Sequence, residues 1–133
     1  MSIKDPIADL FTRIRNALKS KHSYVEIPFS NTNMHILEIL KNSGYIDNFS
    51  LLNHDLVKRI LRVKLKYDKN GIPFITSIKR ISKSSKRIYL SKSKIPKVRN
   101  GFGISIISTP KGILTGKDAR LKNVGGEYLG EVF

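Results

Sequence analysis

Two hydroxyls and an ammonium stand close together late in the chain: Ser108, Thr109 and Lys111, with Pro110 between them and Gly112 after. No acid–base pair at a recognisable spacing makes either hydroxyl a nucleophile, so the chemistry on offer is recognition. The hydroxyls give and accept hydrogen bonds without charge, and the ammonium attracts an anion. Gly101, Gly103 and Gly112 keep bulk away and allow backbone shapes that a Cβ would block. A turn built this way suits a polar, negatively charged surface of definite shape, such as a nucleic-acid backbone with its sugar edges. Ser-Thr-Pro-x-Gly is also a common way to do nothing more than turn a chain.

The charge balance favours recognition. The 133 residues carry 25 Lys and Arg against 10 Asp and Glu, a formal net charge of +15, with a pI of about 10.2. Between Asp68 and Asp118 there is no acidic residue, and Lys79 to Arg99 holds nine basic ones. A patch so one-signed repels itself unless a polyanion neutralises it, whereas a merely solubilising surface mixes signs. Lys86, Arg87 and Tyr89 fall inside this run. Tyr89 either stacks on a base or packs in a core. Glu127, an acid beside the densest basic region, either pairs with a neighbouring cation, or fixes the Ser108–Gly112 turn, or meets a base donor. Arg13 and Arg15, on an early helix, are further candidates for RNA contact.

Enzyme signatures fail. Gly112-Ile-Leu-Thr-Gly116-Lys117-Asp118 has three residues between its glycines where a phosphate-binding loop has four, and Asp where that loop has Ser or Thr. Gly101-Phe-Gly103 lacks the third glycine of a dinucleotide loop, and no Gly-x-Ser-x-Gly elbow exists. His22, His35 and His54 are scattered without ligand spacing. No cysteine is present, so disulfides and thiol chemistry are excluded. No cofactor, metal or small-molecule substrate is expected. No apolar run approaches the ~20 residues of a membrane span, and no signal peptide is evident at the N-terminus.

The elements that must position these residues follow from pattern. Asp5-Pro6 starts a helix, as cap and first residue, and Ile7, Leu10, Phe11, Ile14 and Leu18 form its apolar stripe. Tyr24 to Phe29 alternates as a strand, and Pro28 assigns it to an edge. Asn31 to Ser43 is a second helix stopped by Gly44. Tyr45 to Asn53 is a strand, with a turn near His54 and Asp55. Leu61, Val63, Leu65 and Tyr67 alternate with Arg62, Lys64 and Lys66 as a half-buried strand with a basic outer face. Asp68 to Gly71 turns the chain, and Ile72 to Ile81 is expected to return beside it in a three-stranded meander. Ser82 to Lys86 has the composition of a linker or exposed loop, which places a domain boundary at 81/82. Beyond it come short strands at Arg87–Leu90, Ile104–Ile107 and Tyr128–Phe133, with about one helical turn at Lys117–Lys122. The expected class is α+β in two small domains: a helix and antiparallel-sheet layer over residues 1–81, and a mainly β domain over 82–133.

Three stretches resemble the small-subunit ribosomal protein eight family, of bacterial or organellar type. They are Asp5-Pro-Ile-Ala-Asp-Leu-Phe-Thr-Arg-Ile-Arg-Asn16; then Arg80-Ile-Ser with Arg87-Ile-Tyr89; then Gly101-x-Gly103 through Ser108-Thr-Pro-Lys-Gly112, Ala119-Arg120 and Gly125-Gly-Glu127. The resemblance runs nearly end to end. It implies a primary ribosomal-RNA binder that helps assemble the central domain of the small subunit, beside neighbouring ribosomal proteins. By matching motif it implies RNA contact through Tyr89, Ser108, Thr109, Lys111, Gly112 and Glu127. The setting implied is a cytoplasmic bacterial ribosome or an organellar (plastid) one, and the Lys, Ile and Asn content points to an AT-rich genome. A stand-alone RNA-binding regulator, including a repressor of its own messenger, is the alternative. The chain departs from the family pattern at Thr115-Gly116, where Thr-Asp is usual, and at Gly130-Glu131.

Overall fold

The computed structural model describes residues 5–53 and 58–133, and these divide into two compact units at Ile75/Thr76. The expected turn at His54 and Asp55 lies outside the described residues. Among the described residues, no helix is long and apolar enough to cross a membrane.

In the first unit, helix α1 (Pro6–Lys19) begins where the Asp5 carboxylate accepts the Ala8 N–H at 3.0 Å and Pro6 fills the first turn. Leu10, Phe11, Ile14, Ala17 and Leu18 are buried along its inner stripe. Helix α2 (Asn31–Asn42) is capped by Ser30, which accepts from Asn33 N at 3.0 Å, and ends before Gly44, which takes a φ of +82°. Strands β1 (Tyr24–Pro28), β2 (Ile46–Asn53) and β3 (Arg59–Leu65) form an antiparallel sheet in the order β1-β3-β2. The edge position expected from Pro28 is where β1 lies. The helices cover one face, α1 against β1 and α2 against β2. Ile27, Ile46, Leu61, Val63 and Leu65 are buried on that face.

The expected meander does not form. Pairing after the turn stops at a single bridge, Tyr67 to Pro73. Asp68 spends its carboxylate on the N–H groups of Asn70 (2.7 Å) and Ile72 (2.9 Å). The physical reason is topological: β1 and β2 already occupy both edges of β3, so a returning strand has no edge to join.

The chain instead supplies β4 (Ile78–Arg80) to the second unit, where it pairs with the last strand, β8 (Gly126–Val132). The boundary therefore falls earlier than 81/82. Of the two readings of Ser82–Lys86, linker or exposed loop, the loop is what the structure shows. Ser82 is fully buried, and Lys83 and Lys86 exchange backbone hydrogen bonds, both 3.0 Å, around Ser84-Ser85. Four of these five side chains are exposed, as in a loop, in a hairpin that puts only Ser82 inside.

Strand β8 is the spine of this unit. Strands β4 and β5 (Tyr89–Leu90) lie along one edge of it, β6 (Ile104–Thr109) along the other, and β7 (Gly112–Thr115) outside β6. Helix α3 (Gly116–Leu121) starts at Thr115, whose hydroxyl accepts from Asp118 N at 3.2 Å. Ile95, Ile107, Ala119 and Tyr128 make the core, flanked by Ile81, Ile88, Leu90, Leu114 and Val124.

Candidate nucleic-acid interface

Three strands bring three of the sequence-predicted residues into one row. Tyr89 of β5 pairs with Glu127 of β8, and Glu127 pairs across its other edge with Ser108 of β6. Directly opposed residues project to the same face, and three neighbouring strands span about 10 Å. Ile107 and Tyr128, one position along, turn inward to the core. The row needs close backbone approach, and Gly125-Gly126 provides it. A Cβ on Gly126 would lie 1.9 Å from Ser108 O, and one on Gly125 would lie 2.2 Å from Leu90 O.

Tyr89 is 68% exposed, which removes it from the core. The Glu127 carboxylate pairs with a cation, the first of the three roles read from the sequence. Its Oε2 accepts from Arg87 Nη1 at 2.8 Å and from the Ser82 hydroxyl at 2.6 Å. Ser82 Oγ in turn accepts the Ile88 N–H at 3.0 Å. Burial alone would raise the Glu127 pKa. The Ser82 hydrogen bond, the Arg87 hydrogen bond and charge, and the more distant Arg80 charge outweigh burial and hold the carboxyl below its ordinary value. Glu127 is thus an anchored anion that fixes the approach to β5. Ser82, which pattern alone took for linker or exposed loop, is the residue missed; its neighbour in the motif Arg80-Ile-Ser was the available signal.

One residue beyond the row, β6 and β7 join through Pro110-Lys111, with Thr109 opposite Gly112. The Thr109 hydroxyl donates to Gly112 O at 2.7 Å and accepts Lys111 N–H at 3.1 Å, so it is spent on the turn itself. Gly112 takes a φ of +107°. Among the described residues the Ser108 hydroxyl has no hydrogen-bond partner, and Lys86, Arg87 and Lys111 are exposed. Arg13 and Arg15 both belong to α1 of the first unit. Arg13 is bound to Asp9 at 2.8 Å and to Glu26 O at 3.3 Å, and Arg15 is exposed.

The two departures in sequence also have places. Gly116 lies where a Cβ would come within 2.1 Å of Ser105 Oγ and 2.9 Å of Ile95 Cγ2, so those side chains fill the space a larger residue would use. Glu131 accepts the Tyr128 hydroxyl at 2.8 Å, and burial, that bond and the Glu131 charge push the tyrosine pKa up. It lies at the end of β8 paired with β4, away from the Tyr89–Glu127–Ser108 row. Among the described residues, no three His, Cys, Asp or Glu side chains are gathered as a metal would need.

A small basic α+β protein with an exposed aromatic and a free hydroxyl in one sheet row, and exposed cations in the turns beside it, belongs to the class that binds nucleic acid. The particular assignment comes from comparison: the chain belongs to the family described as Ribosomal protein S8, whose model matches residues 5–133. It is 51% identical to the small ribosomal subunit protein uS8 of Streptococcus thermophilus strain LMD-9 over 133 residues, the whole of both chains. The uS8 of Streptococcus pyogenes serotype M1 shows the same identity and coverage.

Proposed function

We propose that this chain, as a non-enzymatic structural constituent of the small ribosomal subunit, holds small-subunit ribosomal RNA chiefly through the Tyr89–Glu127–Ser108 row and the adjoining Thr109–Gly112 turn, and helps the central domain of that RNA assemble beside neighbouring ribosomal proteins. The observation that carries the reading is the register, which sets an exposed ring, an anchored carboxylate and an unengaged hydroxyl side by side in the more basic unit. Tyr89 offers a face on which an unpaired base stacks. Ser108 supplies a neutral hydrogen bond to a sugar or base group. Lys86, Arg87 and Lys111 meet phosphates, with Arg87 held in place by Glu127. Thr109 shapes the turn, and Gly112 lets RNA come close to backbone. Arg13 and Arg15 add contacts from the first unit.

Salt titrations of binding to cognate and scrambled RNA test this. Ser108→Ala should cost about 0.5–1.5 kcal/mol on cognate RNA, and Tyr89→Ala about 1–3 kcal/mol. Both should leave the salt slope unchanged, since neither residue is charged. Equal losses on both RNAs, with unchanged thermal melts, would remove the row from RNA recognition.

A further inference from the structure

The first unit has a sheet face that its helices leave bare. Two complete cross-strand rows lie on it: Tyr24, Lys64 and Asn48 in one, Glu26, Arg62 and Ser50 in the other. All six side chains are exposed. The Arg62 guanidinium sits over the Tyr24 ring, 4.2 Å from its centroid, rather than against Glu26 in its own row. Just beyond β3, the Lys66 ammonium is held 4.5 Å over the Phe74 ring. The Asn48 carbonyl oxygen accepts the Phe49 N–H at 2.9 Å, so its amide NH₂ is what remains for a ligand. The face therefore presents mostly donors and positive charge.

We infer that this face is a second RNA contact, reading phosphate backbone without regard to sequence. The inference rests on the chain being a ribosomal-RNA binder. Ring stacking decides the mode. A guanidinium held over a ring face by its carbon, as Arg62 is at 4.2 Å, still has N–H groups that match a phosphate in two-point fashion. Stacking also restrains the side chain beforehand, which reduces the ordering lost on binding. The ring face that carries Arg62 is not available to a base, so base stacking of the kind assigned to Tyr89 does not apply at Tyr24. Arg62 and Lys64, two residues apart on one strand, stand about 6.7 Å apart along it and project the same way. A backbone lying along β3 meets both.

The test uses the full chain, full-length small-subunit ribosomal RNA from the same genome, and an unrelated RNA of equal length. Arg62→Gln/Lys64→Gln removes both cations. Ser50→Asp leaves every contact in place but sets a negative charge opposite Arg62. For the double variant the log–log salt slope should fall by about 1.4–1.8, from roughly 0.7–0.9 per phosphate contact, and affinity should fall alike on both RNAs. Ser50→Asp should move affinity in the same direction, with thermal melts matching the parent for all variants. Parent-like slopes and affinities in both variants would overturn the inference. So would a loss that appears only when other small-subunit proteins are added, which assigns the face to a protein partner. Ser108→Ala, run alongside, separates the two readings. If it loses cognate selectivity while the Arg62 and Lys64 variant loses nothing, this inference alone fails. If neither changes binding, the RNA row fails as well.

Discussion

In residues 5–75, Arg13 lies on Asp9, Arg59 over the Phe29 ring, Arg62 over the Tyr24 ring and Lys66 over the Phe74 ring, while Lys19, Lys21, Lys41, Lys64 and Lys69 stand exposed. In residues 76–133, Arg87 lies on Glu127 and Arg99 over the Phe133 ring at 4.1 Å, while Lys79, Lys83, Lys86, Lys92, Lys94, Lys97, Lys111, Lys117 and Lys122 stand exposed. The sequence divides to match, with 12 basic and 7 acidic residues up to Ile75 against 13 and 3 after it. The first unit restrains its arginines Arg13, Arg59 and Arg62, with Lys66, on rings and a helix-face carboxylate. The second spends an acid, Glu127, to orient an arginine and leaves many cations to solvent. An array of unneutralised cations stores self-repulsion that RNA relieves. The lesson is that charge count alone does not locate a reading site. The proposed site lies where an anchored anion, Glu127, sits among cations.

Gly126→Ala should break the comparison most severely. Its Cβ would press on backbone at Ser108, which has nowhere to go within a paired strand. A loss of about 3 kcal/mol is expected, read as a lowered denaturant midpoint with RNA binding lost. Gly44, whose Cβ would meet nothing within 4 Å, is the control for lost glycine freedom without a clash.

Ser82→Ala comes next. It leaves the Ile88 N–H without a side-chain acceptor and Glu127 without one of its two donors, for about 2 kcal/mol. Chemical denaturation measures it, and Tyr89-dependent binding of cognate RNA should weaken beyond what the melt explains. A variant as stable as the parent would mean that water takes over from the hydroxyl.

The pH dependence sharpens the contrast further. Glu127 titrates below its ordinary value, so its contribution is present above the unfolded pKa of roughly 4.3 and is lost as pH falls through the lowered folded pKa. Melts taken from pH 6 downward should show this loss in the parent. Glu127→Gln should flatten that part of the curve, and an identical curve would show that another carboxylate is responsible.

The smallest expected effect is Lys64→Gln, an exposed outer-face change worth no more than about 0.5 kcal/mol in stability. Its RNA effect should be a slightly shallower salt slope on any RNA, without change in specificity.

Much of this was legible in sequence because it is local. Asp5-Pro6, the α1 stripe, Pro28 at an edge and the Ser108–Gly112 turn are each written within a few consecutive residues, and each stands where the pattern placed it. Partner choice is not local. The apolar residues of Ile72–Ile81 read the same whether they return to β3 or join β8, and only the filled edges of β3 decide. Ser82 was hidden for a related reason: a buried serine among exposed lysines and serines has no periodicity, and its partner Glu127 lies 45 residues away. Tyr89 was ambiguous because an aromatic at a strand start suits a core or a ligand equally, until its exposure is known.

Strand β8 comes after every strand it joins, yet it is the spine on which β4, β5 and β6 are hung. As the polypeptide is made, its second unit must wait with two sets of strand edges open and no reading row, since neither Tyr89 nor Ser108 has its central partner until Glu127 arrives. On the proposed function, the RNA-holding row forms in one step when β8 pairs with β5 and β6, and is not accumulated strand by strand. A nested set of C-terminal truncations, assayed for retention of ribosomal RNA, would trace a cliff at β8 where a gradual slope would deny it.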